Sequence, residues 1–181
     1  FTTHAKDIYH EDVDAADLAA KLRDAHHVVT VSDFNLNHLT RRFPEYADRI
    51  SRVYNGLELD RFPYVPVRSR GRRLRVLAIG RLVEKKGFDL LLRSCARLAA
   101  RGVDLDVEIV GDGPMREPWQ TLAADLGIDD DVTFRGPLAQ HEIVDLMRHR
   151  DVFVAPFVVG PDGNVDGLPT VLLEAMASGL P

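Results

Sequence analysis

The chain has 181 residues, of which 45% are apolar and 28% charged, a balance that argues against disorder and for one full domain plus part of another. Its 23 basic and 28 acidic residues leave a net charge of −5, with a pI near 5.8, so the basic footprint that sequence-independent nucleic-acid binding needs is missing. The single Cys95 excludes an intrachain disulfide framework and a four-cysteine zinc site, and suits a reducing compartment. The most apolar loop-like run, Val152 to Val159, holds only eight residues and includes Pro156, far short of a membrane span. No charged-then-apolar leader opens the sequence. The expectation is a soluble cytoplasmic protein.

From Thr3 to Val53 the sequence alternates helical and β-branched stretches. Ala15, Leu18, Ala19 and Leu22 recur at helical spacing, leaving Asp14, Asp17, Lys21 and Asp24 outside. Val28 to Val31 reads as a buried strand. Ser32 follows as an N-cap for a helix carrying Phe34, Leu39 and Phe43. Asn55-Gly56, Pro63, Pro66 and Gly71, with Arg68, Arg70, Arg72, Arg73 and Arg75, then mark a linker. These arginines have two readings, attraction to an acidic membrane surface or a solvated connector, and the second is favoured. The expected division is 1–62 for the end of an amino-terminal domain, 63–73 for the linker and 74–181 for a second domain.

Beyond the linker, strands are expected at Arg75 to Ile79, Asp106 to Val110, Val132 to Phe134 and Val152 to Ala155. Helices are expected over Gly87 to Ala100, from Pro114 to a stop at Gly127, around Ile143 to Met147, and over about Leu168 to Ala177. This alternation predicts an α/β fold with a parallel sheet and helices on both faces.

Ligands of open parallel sheets bind beyond the carboxyl ends of the strands. There stand Gly80 and Arg81 through Lys86 and Gly87, then Gly111-Asp112-Gly113-Pro114, then Arg135-Gly136-Pro137, and finally the long segment from Pro156 to Pro169. Glycines let a backbone approach a ligand, and Arg81 with Lys86 supplies positive charge beside them. A phosphate-bearing ligand is the expectation. Neither a GxGxxG nor a GxxxxGK[ST] pattern occurs. From Gly167 to Pro181 the one charge is Glu174, in a helix apolar on nearly all sides, so it should be a buried helix. An unpaired buried carboxylate is costly. Glu174 should therefore face a polar cavity near the helix's amino end, where the N–H groups from Leu168 to Val171 form an anion site, or pair with an arginine of the sheet. The run Asp162-Gly163-Asn164-Val165-Asp166-Gly167 opens like an EF-hand calcium loop, but Leu173 stands where the bidentate acid belongs, and no metal site is expected. His26-His27 reads as a helix end, with no further ligand at metal spacing nearby.

The segments Gly80 to Gly87, Gly111 to Pro114 and Asp166-Gly167-Leu168-Pro169 through Leu173-Glu174-Ala175-Met176-Ala177 resemble the family 4 retaining glycosyltransferases of the GT-B fold, a resemblance that extends to Val31-Ser32-Asp33 and Asn55-Gly56-Leu57. The opening, Thr3 to Tyr9, is similar to the subgroup acting in exopolysaccharide assembly, the colanic-acid type. The resemblance implies a Rossmann-like carboxyl-terminal donor domain, preceded by the last part of a Rossmann-like amino-terminal domain. On it, the chain is expected to be a fragment, truncated at its carboxyl end and inactive alone. The resemblance also implies a UDP- or GDP-sugar donor, a polysaccharide or lipid-linked saccharide acceptor and retention at the anomeric carbon. No cofactor or metal is expected, no nucleic-acid partner, and a peripheral contact with the inner membrane surface. By matching position, Arg81 and Lys86 would hold the diphosphate. Glu174 would accept the ribose hydroxyls, backbone groups at Arg135 and Gly136 would recognise the base, and Gly80, Gly167, Leu168, Pro169, Thr170 and Val171 would border the donor. The family's E-x7-E pair falls on Asp166 and Glu174 as D-x7-E, and His4 would line the acceptor side. Two other readings are a sugar-nucleotide epimerase of the same fold and a non-catalytic nucleotide-sugar-binding module.

Overall fold

A computed structural model describes residues 1–9, 12–65 and 71–181. The chain divides into two compact units, Phe1–Gly56 with Val158–Pro169, and Leu57–Phe157 with Thr170–Pro181.

In the first unit, β1 (Thr2–Thr3), β2 (Val28–Thr30) and β3 (Ile50–Arg52) pair in parallel in that order. Around them run α1 (Lys6–Tyr9), α2 (Ala15–Asp24) and α3 (Asp33–Arg42). Asp14 caps α2 by accepting the Ala16 N–H at 2.8 Å, and Ser32 Oγ caps α3 by accepting from the Asn35 N–H at 3.2 Å, so each helix starts where a side chain satisfies an orphan donor. Leu18, Leu22, Leu39 and Phe43 enter one core with Ile8, Val28 and Ile50. Phe34 stands exposed. His27, beyond the end of α2, meets Ser51 Oγ at 2.8 Å.

The second unit holds β4 (Leu74–Ile79), α4 (Phe88–Ala99), β5 (Leu105–Val110), α5 (Arg116–Asp125), β6 (Val132–Gly136), α6 (Gln140–Arg148), β7 (Val152–Phe153) and α7 (Thr170–Ala177). Its four strands pair in parallel in the order β6-β5-β4-β7. Side chains alternate across each strand. Val76, Ala78, Val107 and Ile109 therefore pack with Phe88, Leu92 and Cys95 of α4 and Trp119 of α5, while Leu77, Ile79, Val110 and Phe153 pack with Met147 of α6 and Ala175 of α7. Burial pushes the Cys95 thiol up to about 11.

The second face of the sheet is not purely apolar. Glu108 is buried there and receives both Arg150, itself buried, and Arg135. Arg150 also meets Asp106 at 3.1 Å. Arg75 holds Asp151 by two side-chain bonds of 2.9 and 3.1 Å.

Three expectations are corrected. Pro114 lies in a turn and α5 starts at Arg116, because Met115 takes the non-helical angles of a cap, φ −87° and ψ 4°, while its N–H is held by the Leu82 carbonyl at 3.0 Å. Helix α7 starts at Thr170 rather than Leu168, since a residue preceding proline is biased away from helical angles. Nor is α7 buried all round. Ala175 is covered, but Met176 is 65% exposed, because β7, the last strand of the sheet among the described residues, offers cover on one side only.

Of the expected linker, residues 66–70, with Arg68 and Arg70, lie outside the described residues. Arg73 and Arg75 are not solvated connectors. Arg73 meets Asp104 and Asp131 at 3.2 Å each, and Arg75 belongs to β4. Upstream, Phe62 is buried and the Tyr64 ring lies against Gly179, which draws 57–65 into the second unit.

Candidate functional site

In the second unit the loops beyond β4 and β5 are zipped together by main chain. The Gly80 N–H donates to the Val110 carbonyl, the Leu82 N–H to the Asp112 carbonyl and the Met115 N–H to the Leu82 carbonyl, at 2.9–3.0 Å. Leu82 is fully buried and anchors the first loop. Gly111 and Gly113, expected to admit a ligand, instead admit this backbone. Both have positive φ, 133° and 157°, and a β-carbon on them would lie 2.0 Å from the Gly80 carbonyl oxygen and 2.4 Å from that of Leu82.

This floor presents two of the expected cations. Arg81 is exposed and forms no ion pair among the described residues. Lys86 ends a 3-10 turn, Glu84–Lys86. Its stem lies over Gly80, where a β-carbon would come 3.2 Å from Cε, and its Nζ sits 4.2 Å from the centroid of the Phe157 ring, a cation–π contact that fixes the charge beyond the sheet edge.

Near the carboxyl end of β6, the Arg135 guanidinium is drawn to Glu108, with Nε 2.9 Å from Oε2, which raises its pKa further. The Gly136 carbonyl accepts from the Gly111 N–H at 2.9 Å, and the Phe134 carbonyl from Arg116 at 2.9 Å. Arg116 also lies over Gly136, its Nη1 3.6 Å from where a β-carbon would stand. Sequence reasoning passed over Arg116 and Phe157. The spacing of Arg116 four residues after Asp112, which it faces at 3.9 Å, was the available signal for the first.

Glu174 is half-buried one turn inside α7 and forms no ion pair among the described residues. Pairing with a sheet arginine is not what occurs, because Arg75, Arg135 and Arg150 are committed to Asp151, Glu108 and Asp106. Thr170, Val171 and Leu172 occupy the first turn of α7, whose N–H groups have no intrahelical acceptor.

The remaining expected residues belong to the first unit. His4 follows β1, exposed, with its N–H donating to Asp7 Oδ2 at 2.8 Å. In the segment 158–169, Gly163 donates to the Gly160 carbonyl, Gly160 to the Asn164 carbonyl, and Asn164 to Asp162 Oδ1, at 2.8–3.0 Å. Asp162 of the calcium-like run thus serves its own turn, and no group of three ligating side chains that could hold a metal occurs among the described residues. Asp166, Leu168 and Pro169 are half-buried, and Gly167 rests on Ser32 and Asn35. No helix among the described residues is long and apolar enough to cross a membrane.

Parallel sheets flanked by helices make this an α/β protein whose fold matches that of GT-B glycosyltransferases. The structure superposes on a TarM mutant of S. aureus, solved in complex with fondaparinux, α-GlcNAc-glycerol and UDP, with a TM-score of 0.79 at 15% identity over 99% of this chain and 35% of that one. It superposes on Anabaena HepE in complex with UDP-glucose with a TM-score of 0.73 at 21% identity, over 92% of this chain and 46% of the other. Residues 66–181 match the family model for glycosyl transferases group 1, and the chain belongs to that family. It is 35% identical over 138 residues to a protein of Escherichia coli K12 named for colanic acid biosynthesis as a glycosyltransferase, covering 76% of this chain and 34% of that one. It is 33% identical over 135 residues to the amylovoran biosynthesis glycosyltransferase of Erwinia amylovora, covering 75% and 33%. The chain thus spans about a third of the length of these relatives.

Proposed function

We propose that the protein transfers a hexose-type unit from a nucleoside-diphosphate sugar to a polysaccharide or lipid-linked saccharide acceptor, with retention at the anomeric carbon, in the cytoplasm. The carrying observation is the zipped loop beyond β4, which holds Arg81, without an ion pair among the described residues, beside a Lys86 seated over the Phe157 ring. Breaking a glycosyl–diphosphate bond places negative charge on the departing phosphate, and preorganised cations are what stabilise it. Arg81 and Lys86 take that role, and the N–H groups of Thr170 and Val171 add to it. Glu174 accepts hydrogen bonds from the ribose hydroxyls, which suits a carboxylate with no competing ion pair among the described residues. Main-chain groups at Arg135 and Gly136 recognise the base. Asp166 acts on the transferred sugar in place of the family's longer glutamate, and His4 serves the acceptor side.

The relatives support a donor of this class without fixing its base. One, from Mycolicibacterium smegmatis, 34% identical over 167 residues that cover 87% of this chain and 44% of that one, is named a GDP-mannose-dependent mannosyltransferase, whereas two solved neighbours carry UDP or UDP-glucose. The test is calorimetric binding of UDP- and GDP-sugars to the protein and to its Arg81→Ala/Lys86→Ala variant. A loss of more than tenfold in donor affinity is expected, and equal affinities would overturn the phosphate role. Turnover of donor without acceptor would point to the epimerase reading instead, and NMR of the product's anomeric proton decides retention.

A further inference from the structure

The amino end of α3 holds a polar side chain that the fold alone does not explain. Asn35 is 0% exposed, and neither its Nδ2 nor its Oδ1 has a hydrogen-bond partner among the described residues. Its main-chain N–H is already used by the Ser32 cap. Thr3 Oγ1, at the end of β1, is likewise buried and unpartnered. An apolar side chain of the same shape would fill the space without drying out two polar atoms, so stability does not favour asparagine there.

The carboxamide lies against Gly167, the residue after Asp166. A β-carbon on Gly167 would come within 3.3 Å of both Asn35 Nδ2 and Oδ1 and 3.4 Å of Ser32 Oγ. Gly167 carries no positive φ there, so the glycine serves this close approach rather than an unusual backbone angle. Upstream, the same segment is tightened by its turn at 160–164, with Asn164 buried. Asp166 thus stands between a hydrogen-bonded turn and a residue packed on the Asn35 carboxamide.

We infer that Asn35 is a positioning residue for Asp166: its buried carboxamide, packed against Gly167 where a β-carbon would come 3.3 Å from both of its polar atoms, sets where the acid stands. The inference rests on the reading of Asp166 as acting on the transferred sugar. Polar groups retained against stability are expected where a site must be held in one geometry.

The experiment compares Asn35→Leu, Gly167→Ala and Asp166→Asn, each made in the full-length protein, in steady-state transfer, donor binding and thermal unfolding. The expected result for Asn35→Leu is a thermal midpoint equal to or above that of the parent, donor affinity within twofold, and kcat lowered at least tenfold. That split separates positioning from a merely structural role, in which kcat would stay within twofold while the midpoint rose. A kcat loss matched by equal losses of midpoint and donor affinity overturns the inference as well. Should Asn35→Leu fail to fold, Gly167→Ala reads the same contact, with kcat again falling at least tenfold and unchanged kcat overturning the proposal. Asp166→Asn checks the underlying reading: full activity in that variant removes both, whereas its loss with an active Asn35→Leu removes only the positioning role.

Discussion

Replacing Gly111 by alanine is the sharpest test of how the floor beyond β4 and β5 is built. The new methyl would sit 2.0 Å from the Gly80 carbonyl oxygen, against the roughly 3.5 Å at which nonbonded heavy atoms settle. A displacement of about 1.5 Å must follow, and the neighbour is main chain, which cannot rotate away as a side chain would. A residue with a β-carbon at the observed φ of 133° adds about 1–2 kcal/mol, overpacking about 1–3 kcal/mol, and loss of the Gly111–Gly136 bond about 1 kcal/mol. The expected destabilisation is about 3–6 kcal/mol, a large share of the roughly 5–15 kcal/mol that holds an ordinary domain folded. Two control positions calibrate it. Gly127 has a positive φ of 66° but open space around it, so Gly127→Ala should lose only about 1 kcal/mol. Gly71 has open space and no positive φ, and Gly71→Ala should be neutral or gain about 0.4–1 kcal/mol. Guanidinium unfolding followed by fluorescence of Trp119, the only tryptophan of the chain and buried in the second unit, reports that unit directly. A midpoint for Gly111→Ala no lower than that of Gly127→Ala would refute the close-approach reasoning.

Two more outcomes follow from charged groups. Glu108→Ala takes one carboxylate from the buried Arg150 and leaves it Asp106, and should lower stability by about 1.5–3 kcal/mol in the same assay, whereas Asp145→Ala, which breaks an exposed helix pair with Arg148, should change nothing measurable; similar midpoints for the two would overturn the buried network's importance. Burial first, and then the Arg42 charge, hold His38 below its ordinary pKa. As pH falls below about 6.5, the unfolded chain takes up this proton before the folded one, so the contribution is intact above that value and lost as pH falls through the folded pKa. NMR titration should find the His38 midpoint below 6.5, and a midpoint at or above it would contradict the burial argument.

Much of the architecture could be read because strands covered on both faces and amphipathic helices leave different periods in a sequence. Val76 to Ile79 and Phe88 to Cys95 are clear instances. What stayed hidden were relations between distant residues. Asp106 and Glu108 break the apolar run of β5, and the arginines that answer them stand 42 and 27 positions from Glu108. The glycines of Gly111-Asp112-Gly113 were recognisable as places needing no side chain, but their neighbour turned out to be the chain's own backbone. Helix starts were set two residues early at Pro114 and Leu168, because the non-helical angles of Met115 and the restriction before Pro169 are not matters of periodicity. At the candidate site, Arg81, Lys86 and Glu174 were legible as charges among small or apolar residues. The Asn35–Gly167 contact was not, since 132 residues separate its partners.

The stitching of Leu82 to Asp112 and of Met115 to Leu82 also bears on how such a protein can diversify. Each stitch counts residues from a strand end, so an insertion in either loop would pull several amides off their acceptors at once. Length changes that alter substrate preference are therefore confined elsewhere, and along these two loops variation is left to what a side chain such as Arg81 carries outward.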